Sequence, residues 1–236
     1  MSDNLNRKDI LVIILAYNEE KNVGAVIDDV RKNFGAADIL VIDDGSSDNT
    51  AGVADGKGVF LAKHAFNLGI GASFETACRF ACLKRYEYVL RMDADGQHCA
   101  SFIRDLIGPV KAGEIDIAIG SRFLGKSEFR GSLLRVFGIY IISAVLKAVT
   151  GKKVTDPTSG FCAMNKKAFL FFANNCADDY PEPQIFLYQK DFKIKEIPIS
   201  MVKRHSGLSS ITAQKSIFYM LKVIIALLAT DSRRRR

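Results

Sequence analysis

The sequence has no tryptophan, only five prolines and only five cysteines among its 236 residues. The cysteines are scattered and never spaced as CxxC, which argues against a disulfide framework or a structural zinc site and favours a reducing compartment. No stretch reaches the 18 apolar residues typical of a membrane-spanning helix, and the polar N-terminus is unlike a signal peptide. We therefore expect a globular protein whose active part faces the cytoplasm.

Several common motifs are also missing. The glycine-rich turn at residues 67–71 has neither the GxGxxG spacing of a dinucleotide fold nor the GK[ST] of a P-loop, which argues against an oxidoreductase or an ATPase. The three histidines form no HExxH or His-x-His arrangement. The net charge of +7 suits phosphates, anionic lipids or nucleic acid. Because no nucleic-acid motif or interleaved aromatic residues accompany the basic clusters, nucleic-acid binding is not expected.

The first half of the chain alternates short apolar runs with helical patterns, which is typical of βαβ units and a parallel sheet. Strands are predicted over residues 10–16, 39–42, 59–62, 88–92 and 115–119, and helices over residues 19–33, 71–84 and 101–112. The polar clusters follow predicted strands, and ligands of open α/β sheets bind beyond the carboxyl ends of strands. These loops are therefore expected to converge on one site.

Two pairs of carboxylates follow predicted strands. Asp93 and Asp95 can approach one hard divalent cation, Mg²⁺ or Mn²⁺, which would bridge substrate phosphates. Asp43 and Asp44 are adjacent, and like charges side by side are costly unless a ligand uses them. Since Asp48 and Thr50 can cap the next helix, this pair is left without an obvious local structural duty and suits hydrogen bonds to the hydroxyls or base edge of a nucleotide.

Other candidates lie farther along the chain. Arg122 and Arg204 offer charge-assisted hydrogen bonds to phosphate oxygens. The apolar segments at residues 136–146 and 217–229 have basic flanks, so each is either a buried helix or a helix lying on a membrane. No linker marks a domain boundary. The pattern indicates one domain, residues 1–210, followed by an amphipathic, basic extension over residues 211–236.

Seven motifs together carry a resemblance to a known family. They are AYNEE (16–20), DDGSSDNT (43–50), NLGIG (67–71), DADGQH (93–98), GSRF (120–123), DPTSGFCAMNKKA (156–168) and RHSGLSS (204–210). In order and spacing the chain resembles family 2 glycosyltransferases of the GT-A fold, and most of all the polyprenyl-phosphate glycosyltransferases, the dolichyl-phosphate mannose synthase-like group. The resemblance implies an α/β fold with a Rossmann-like mixed sheet flanked by helices.

The resemblance also implies residue roles. The nucleotide-sugar residues would be Ala16, Tyr17, Glu19, Asp43, Asp44, Asn67, Gly71, Asp93, Ala94 and Asp95. The metal would be held by Asp93, Asp95 and Gln97. The acceptor phosphate would be held by Arg122, Ser159, Arg204 and Ser209, and the catalytic residues would be Asp95, Arg122 and Arg204.

The activity implied is metal-dependent, inverting transfer of a sugar from a nucleoside-diphosphate sugar to a polyprenyl phosphate. An anionic phosphate needs no general base, whereas a hydroxyl acceptor would need a carboxylate such as Glu182 or Asp179. Chain extension at a hydroxyl is one alternative, and a non-catalytic nucleotide-sugar-binding subunit is another.

The resemblance also bears on location and partners. Residues 179–183 resemble a subset of the family from cell-envelope polysaccharide pathways. The enzyme is expected to be peripheral, at the cytoplasmic face of the cell membrane. A small integral-membrane partner and a homo-oligomeric state are both compatible with this interpretation.

Overall fold

Apolar runs of the sequence form the strands of one sheet in the computed structural model, which describes residues 9–124, 133–175, 192–202 and 225. The strands are β1 (Ile10–Ala16), β2 (Asp38–Asp43), β3 (Phe60–Lys63), β4 (Tyr88–Asp93), β5 (Ile117–Ser121), β6 (Cys162–Asn165) and β7 (Ile194–Pro198). The helices are α1 (Val23–Asn33), α2 (Thr50–Gly56), α3 (Ile70–Leu83), α4 (Ile103–Lys111), α5 (Leu133–Thr150) and α6 (Lys166–Asn175), with a short 3₁₀ helix at Ala100–Phe102.

The sheet has the order β3-β2-β1-β4-β6-β5-β7. Strands β1 to β4 pair in parallel, β6 runs antiparallel to both of its neighbours, and β7 is parallel to β5. This arrangement confirms the expected mixed α/β sheet. Strands β1 to β5 and β7 end at one edge of the sheet, where β6 begins. We call this the carboxyl edge.

The core has two layers because every residue of β1 is buried and each face of the sheet is covered by helices. On one face, Leu11 and Ile13 pack with residues of α3, α5 and α6 such as Phe74 and Phe172. On the other face, residues of α1 and α4 cover the alternate side chains of the same strands. Strands buried on both faces are continuous apolar runs, which is why the sequence identified them.

Element boundaries differ from the sequence-based predictions at helix starts. Strand β1 matches its predicted bounds, but the helix predicted over residues 19–33 begins only at Val23. The backbone N–H groups of Asn22 and Val23 both donate to the carbonyl of Glu19, which forms a turn before the helix. The helix predicted over residues 101–112 begins with the 3₁₀ turn instead.

Helix α5 contains the apolar segment 136–146. It buries Ile139, Ile142 and Leu146 against the sheet and exposes Phe137 and Tyr140. None of the helices in the described part of the chain is long and apolar enough to cross a membrane. Apart from residue 225, the predicted extension over residues 211–236 lies outside the described residues.

Candidate functional site

The loops after β1 and β2 are joined by reciprocal hydrogen bonds. Three consecutive backbone N–H groups donate to side chains of the other loop: Asn18 to Ser46 Oγ (2.9 Å), Glu19 to Thr50 Oγ1 (2.8 Å) and Glu20 to Asp48 Oδ2 (3.1 Å). In return, the N–H of Ser47 donates to Asn18 Oδ1 (2.9 Å) and that of Asn49 to Glu20 Oε2 (3.1 Å). The AYNEE and DDGSSDNT motifs therefore supply hydrogen-bond partners to each other's backbone. The sequence did not indicate this structural role.

Asp43 and Asp44 are both buried at the end of β2. Asp43 Oδ1 accepts a hydrogen bond from the N–H of Ser46 (3.0 Å). Asp43 Oδ2 is buried, accepts no hydrogen bond from the described residues and lies 3.9 Å from Lys63 Nζ. The expectation that this pair has no structural duty is wrong, because at least one oxygen of Asp43 closes its own turn and Asp44 holds a neighbouring loop.

Asp44 fixes the glycine-rich loop after β3. Its oxygens accept hydrogen bonds from the N–H groups of Leu68 (2.9 Å) and Gly69 (2.8 Å), and Oδ1 lies 2.8 Å from His64 Nδ1. Since a carboxylate only accepts, His64 Nδ1 donates to Asp44, and His64 Nε2 lies 3.0 Å from the hydroxyl oxygen of Thr76. Asp44, His64 and Thr76 thus connect the end of β2 to helix α3.

A close backbone contact requires glycine at one position of this region. Gly45 has φ +70°, and a Cβ there would lie 2.4 Å from the carbonyl carbon of Phe66. Only glycine permits both the conformation and the contact.

The other predicted nucleotide residues differ in exposure. In the loop after β3, Asn67 is exposed, whereas Gly71 is buried in the first turn of α3. Of the residues predicted after β1, Tyr17 is exposed and Ala16 and Glu19 are buried.

The side chain of Asp93 ends β4 at the carboxyl edge and is 34% exposed. Its Oδ1 lies 3.8 Å from Nη2 of the buried Arg91, whose guanidinium also packs 5.5 Å from the ring centre of Phe74. A Cβ on Gly160 would lie 2.7 Å from Asp93 Oδ2. Asp93 is therefore confined between a buried cation and a glycine of another motif. The sequence analysis did not single out Arg91.

The rest of the DADGQH turn is ordered by local hydrogen bonds. Asp95 Oδ1 accepts from the N–H of Gln97 (3.0 Å), and the N–H of the buried Ala94 donates to the carbonyl of Leu15 (3.0 Å). The carbonyl of Gln97 in turn accepts from the N–H of Val202 (3.1 Å). Asp93 and Asp95 are thus both held at the carboxyl edge, as the sequence spacing predicted.

His98 contacts the backbone of Asp93. Its Nδ1 accepts a hydrogen bond from the N–H of Asp93 (3.2 Å), and its ring stacks on Phe161 with centres 4.9 Å apart. Burial lowers the pKa of His98; the nearby carboxylates oppose this effect, while Arg122 and Arg91 add to it. A neutral ring is the state that can accept through Nδ1.

Arg122, which follows β5, forms a buried ion pair with Asp156. Its Nε donates to Asp156 Oδ2 and its Nη2 to Oδ1, both at 2.6 Å, and Nη2 also donates to Thr158 Oγ1 (2.9 Å). The N–H of Asp156 donates to Glu196 Oε1 of β7 (2.7 Å). Ser159 is buried in the same turn. The guanidinium is thus oriented by a bidentate partner, which sequence spacing alone did not reveal.

Some predicted residues cannot be located. Arg204, Ser209, Asp179 and Glu182 lie outside the described residues. Their roles stay predictions.

Asp93 and Asp95, with Gln97, have the chemistry of a magnesium or manganese site. Within the described ranges no group of three His, Cys, Asp or Glu side chains could hold a metal ion by itself. Mg²⁺ usually keeps several waters and binds through one or two carboxylates together with substrate phosphates. The space that Gly160 leaves at Asp93 Oδ2 and the partial exposure of that carboxylate fit the same kind of ion.

Known proteins resemble this chain in sequence and in fold. The family model described as Glycosyl transferase family 2 matches residues 11–171. The chain is 27% identical over 229 residues to the polyprenol monophosphomannose synthase of Mycolicibacterium smegmatis, covering 90% of this chain and 84% of that protein. It is 26% identical over 242 residues to the UDP-N-acetylglucosamine–dolichyl-phosphate N-acetylglucosaminyltransferase of Methanococcus voltae, covering 92% and 96% of the two chains.

A solved structure has the same fold. It is that of glucosyl-3-phosphoglycerate synthase from Mycobacterium tuberculosis in complex with Mn²⁺, uridine-diphosphate-glucose and phosphoglyceric acid. The two superpose with a TM-score of 0.65 at 19% sequence identity, over 96% of this chain and 82% of that one. The similarity confirms the expected GT-A architecture.

Proposed function

The chain belongs to glycosyltransferase family 2, and from this premise we propose that it transfers a sugar from a nucleoside-diphosphate sugar to a polyprenyl phosphate, with inversion at the anomeric carbon. The observation that carries the proposal is the partly exposed Asp93 carboxylate at the carboxyl edge, which has Arg91 at 3.8 Å and the space left by Gly160 next to Oδ2. Two relatives are named for transfer to a polyprenol or dolichyl phosphate, which supports this acceptor class.

We propose that Asp93, Asp95 and Gln97 hold Mg²⁺ or Mn²⁺ together with the donor diphosphate. The metal would supply positive charge that stabilises the leaving diphosphate. The chain contributes a carboxylate that already lies at the carboxyl edge, since Asp93 Oδ1 lies 3.8 Å from Arg91 and the backbone N–H of Asp93 donates to His98. The mycobacterial structure that shares this fold was obtained with Mn²⁺ and a nucleotide sugar, which supports divalent metal use.

The nucleoside part of the donor is assigned to the loops after β1, β2 and β3. Tyr17 and Asn67 are exposed, and Tyr17 offers its ring to the base or ribose. Asp43 and Asp44 are buried: Asp43 closes its own turn through the N–H of Ser46, and Asp44 holds the loop that carries Asn67 and leads into α3, which contains Gly71. Ala16, Glu19 and Ala94 are buried, and we assign them to the inner side of the nucleotide site. The named relatives use different sugars, and no residue role above depends on which sugar is transferred.

The acceptor phosphate is assigned to Arg122, Ser159, Arg204 and Ser209. Asp156 and Thr158 orient the Arg122 guanidinium, so little conformational entropy is lost when it meets an anion. Because a phosphate monoester oxygen is already anionic, it attacks without a general base. Asp95, Arg122 and Arg204 are accordingly the proposed catalytic residues.

The lipid acceptor requires contact with a membrane. We assign this contact to α5 and to residues 217–229, at the cytoplasmic face, with residues 1–210 as the catalytic domain and 211–236 as a basic extension. A small integral-membrane partner or a second copy of the chain is compatible with this arrangement. Transfer is expected to require no nucleic acid.

The proposal is tested by incubating purified protein and Mg²⁺ or Mn²⁺ with radiolabelled UDP- and GDP-sugars and undecaprenyl phosphate, then extracting with organic solvent. Label is expected in the organic phase with one donor, and Asp95→Ala should abolish it. Asp55→Ala, an exposed carboxylate of α2, is the matched control and should leave transfer unchanged.

The alternatives give different results in this assay. Label that stays aqueous with every donor but enters an added soluble saccharide would indicate a hydroxyl acceptor. Glu182→Gln should then abolish transfer, whereas a phosphate acceptor predicts that substantial activity survives. Nucleotide binding without transfer to any acceptor would favour a non-catalytic subunit and contradict the proposal.

A further inference from the structure

Strand β4 carries a charged side chain in the core of the sheet, that of Arg91, which is 1% exposed. In the sheet, Arg91 pairs with Ile13 of β1 on one side and with Cys162 of β6 on the other, and both of these residues are fully buried. On the face of the sheet that α3 covers, its guanidinium lies 5.5 Å from the ring centre of Phe74. Apolar residues therefore lie beside Arg91 on three sides, and water screens its charge very little.

The position of Arg91 in β4 brings its charge to the proposed metal site. Successive side chains of a strand point to opposite faces, so Arg91 and Asp93 lie next to each other on the same face of β4. Arg91 Nη2 is 3.8 Å from Asp93 Oδ1. This separation is longer than a charge-assisted hydrogen bond of about 2.7–2.9 Å. The contact between the two side chains is therefore mainly electrostatic.

Another buried arginine near this edge is paired differently. Arg122 contacts Asp156 through two nitrogens, each at 2.6 Å, so the charge of that guanidinium is largely matched by its own carboxylate. Asp93, in contrast, is 34% exposed and is the carboxylate that we assign to the metal. Arg91 and the cation therefore act on the same carboxylate.

The stability of the fold does not account for the charge of Arg91. A buried ion pair is commonly no more stable than apolar residues of similar size, and the neighbouring β4 residues Val89, Leu90 and Met92 are all apolar and buried. A methionine at position 91 would keep a contact with Phe74, because a thioether packs well against an aromatic ring. The effect of the positive charge is therefore expected in the site.

We propose that Arg91 is a positioning residue that makes the site bind the divalent cation together with the nucleotide diphosphate, and not the cation first. Its positive charge weakens the binding of a free cation at Asp93 and Asp95, and it strengthens the binding of the anionic diphosphate at the same edge. For the complex of cation and diphosphate, which has little net charge, the two effects nearly cancel. The inference rests on the proposed function, because it concerns the order in which that site is filled.

The same charge stabilises the site when no ligand is bound. Asp93 and Asp95 are two residues apart, and like charges close together are costly. Arg91 offsets part of this repulsion, because its guanidinium lies beside one of the two carboxylates. The two carboxylates can therefore stay at the carboxyl edge without a bound cation.

The test compares three affinities in the natural protein and in Arg91→Met. Binding of Mn²⁺ alone is measured by electron paramagnetic resonance of the free ion, binding of UDP and GDP is measured by calorimetry in EDTA, and binding of the equimolar Mn²⁺–nucleotide complexes is measured by calorimetry without EDTA. In Arg91→Met the affinity for Mn²⁺ should rise about 10- to 100-fold, and the affinity for the metal-free nucleotide should fall about 10-fold. The affinity for the complex should change less than about threefold, because its net charge is small.

Arg104→Met is the matched control. Arg104 is exposed on α4, and its guanidinium lies 5.6 Å from the ring centre of Phe34, on the opposite face of the sheet from Phe74. The substitution removes the same charge from the chain and the same kind of contact with an aromatic ring. All three affinities should stay unchanged. Arg91→Lys keeps a positive charge and should lie closer to the natural protein than Arg91→Met in all three measurements.

A purely structural role predicts a different pattern. If Arg91 only supported the fold or the direction of Asp93, Arg91→Met would weaken all three affinities, and the affinity for Mn²⁺ would fall instead of rising. That result, or three unchanged affinities, would overturn the proposal. The Tm of each variant shows whether it is folded, and Arg91→Gln, which also removes the charge, gives the same test if methionine prevents folding.

The transfer assay separates this inference from the proposed function. Opposite changes in the affinities for Mn²⁺ and for the nucleotide, without any lipid-linked product, would support the role of Arg91 and contradict the proposed function. Lipid-linked product together with parallel or unchanged affinities would do the reverse.

Discussion

Gly160 lies directly against Asp93: a Cβ atom on residue 160 would stand 2.7 Å from Asp93 Oδ2 and 3.1 Å from Oδ1. The two residues belong to motifs more than sixty positions apart, which meet because β6 inserts beside β4. The absence of a side chain at residue 160 therefore keeps space for the carboxylate that we assign to the metal.

Substitution of Gly160 by alanine is expected to impair function more than folding. The new methyl group would displace the Asp93 carboxylate, whose outer end can move, so apparent metal affinity should fall about 10- to 100-fold with a small change in Tm. Metal titrations of activity and of Mn²⁺ binding would measure this. Gly108→Ala in α4, where a Cβ meets nothing within 4 Å, should change neither the metal titration of activity nor Mn²⁺ binding. An unaltered metal affinity in Gly160→Ala would contradict the assignment of Asp93.

Asp156→Asn is expected to destabilise the fold strongly. Asp156 and Arg122 are both buried, so loss of one charge leaves the other uncompensated, at a cost of about 3–5 kcal/mol in the free energy of unfolding. Urea denaturation would measure it. The double variant Arg122→Met with Asp156→Leu should be more stable than Asp156→Asn, and a single-variant loss below about 1 kcal/mol would mean that the pair is solvated.

Thr50→Val tests the bonds between the loops after β1 and β2. Valine keeps the shape of threonine but removes the oxygen that accepts from the buried N–H of Glu19, so about 1–3 kcal/mol of stability should be lost. Thr50→Ser keeps the oxygen and loses only a methyl group. Chemical denaturation should therefore rank serine above valine; the opposite order would show that packing of the methyl group matters more than the hydrogen bond.

Asp116 is expected to make stability depend on acid pH. Burial opposes its charge, but hydrogen bonds from the Lys193 N–H and the Asn165 side chain, together with Lys167, outweigh burial and lower the pKa of Asp116. A folded pKa below the unfolded value of about 3.9 stabilises the protein above that pH, and the contribution is lost as pH falls through the folded pKa.

The measurement is the free energy of unfolding of the natural protein and of Asp116→Asn across the acid range. The natural protein should be the more stable near neutral pH, and the difference should shrink as pH falls towards about 3. Lys32→Gln, at an exposed position of α1, should leave the profile unchanged. A difference that stays constant with pH would mean that Asp116 acts as a neutral hydrogen-bonding group.

Local sequence features determined the sheet and the position of the polar clusters. Residues 10–16 form a strand with the predicted bounds because an apolar run buried on both faces has no competing conformation. Likewise, Asp93 ends β4 and Asp95 follows it, at the end of the strand predicted over residues 88–92. The order and spacing of the motifs also indicated the family and the mixed sheet, both of which are confirmed.

Pairing across the chain could not be predicted in the same way. Asp44 holds Leu68 and Gly69, and Arg122 holds Asp156, but each of these contacts joins residues of different strands and loops. Adjacent carboxylates after a strand are compatible with a ligand or with a structural hydrogen bond. Only the packed loop after β3 decided between them for Asp44.

The sequence by itself thus determined strands β1 to β5, helices α1, α3 and α4, the edge at which the polar clusters lie and the family, but not β6, β7, α2 or α6. These depend on periodicity, spacing and composition, which are properties of neighbouring residues. Tertiary structure alone decided that the buried Arg91 lies beside Asp93 and that Gly160 faces its carboxylate. The physical reason is the insertion of the antiparallel strand β6 and the return direction of each helix, which bring together residues that no local pattern relates.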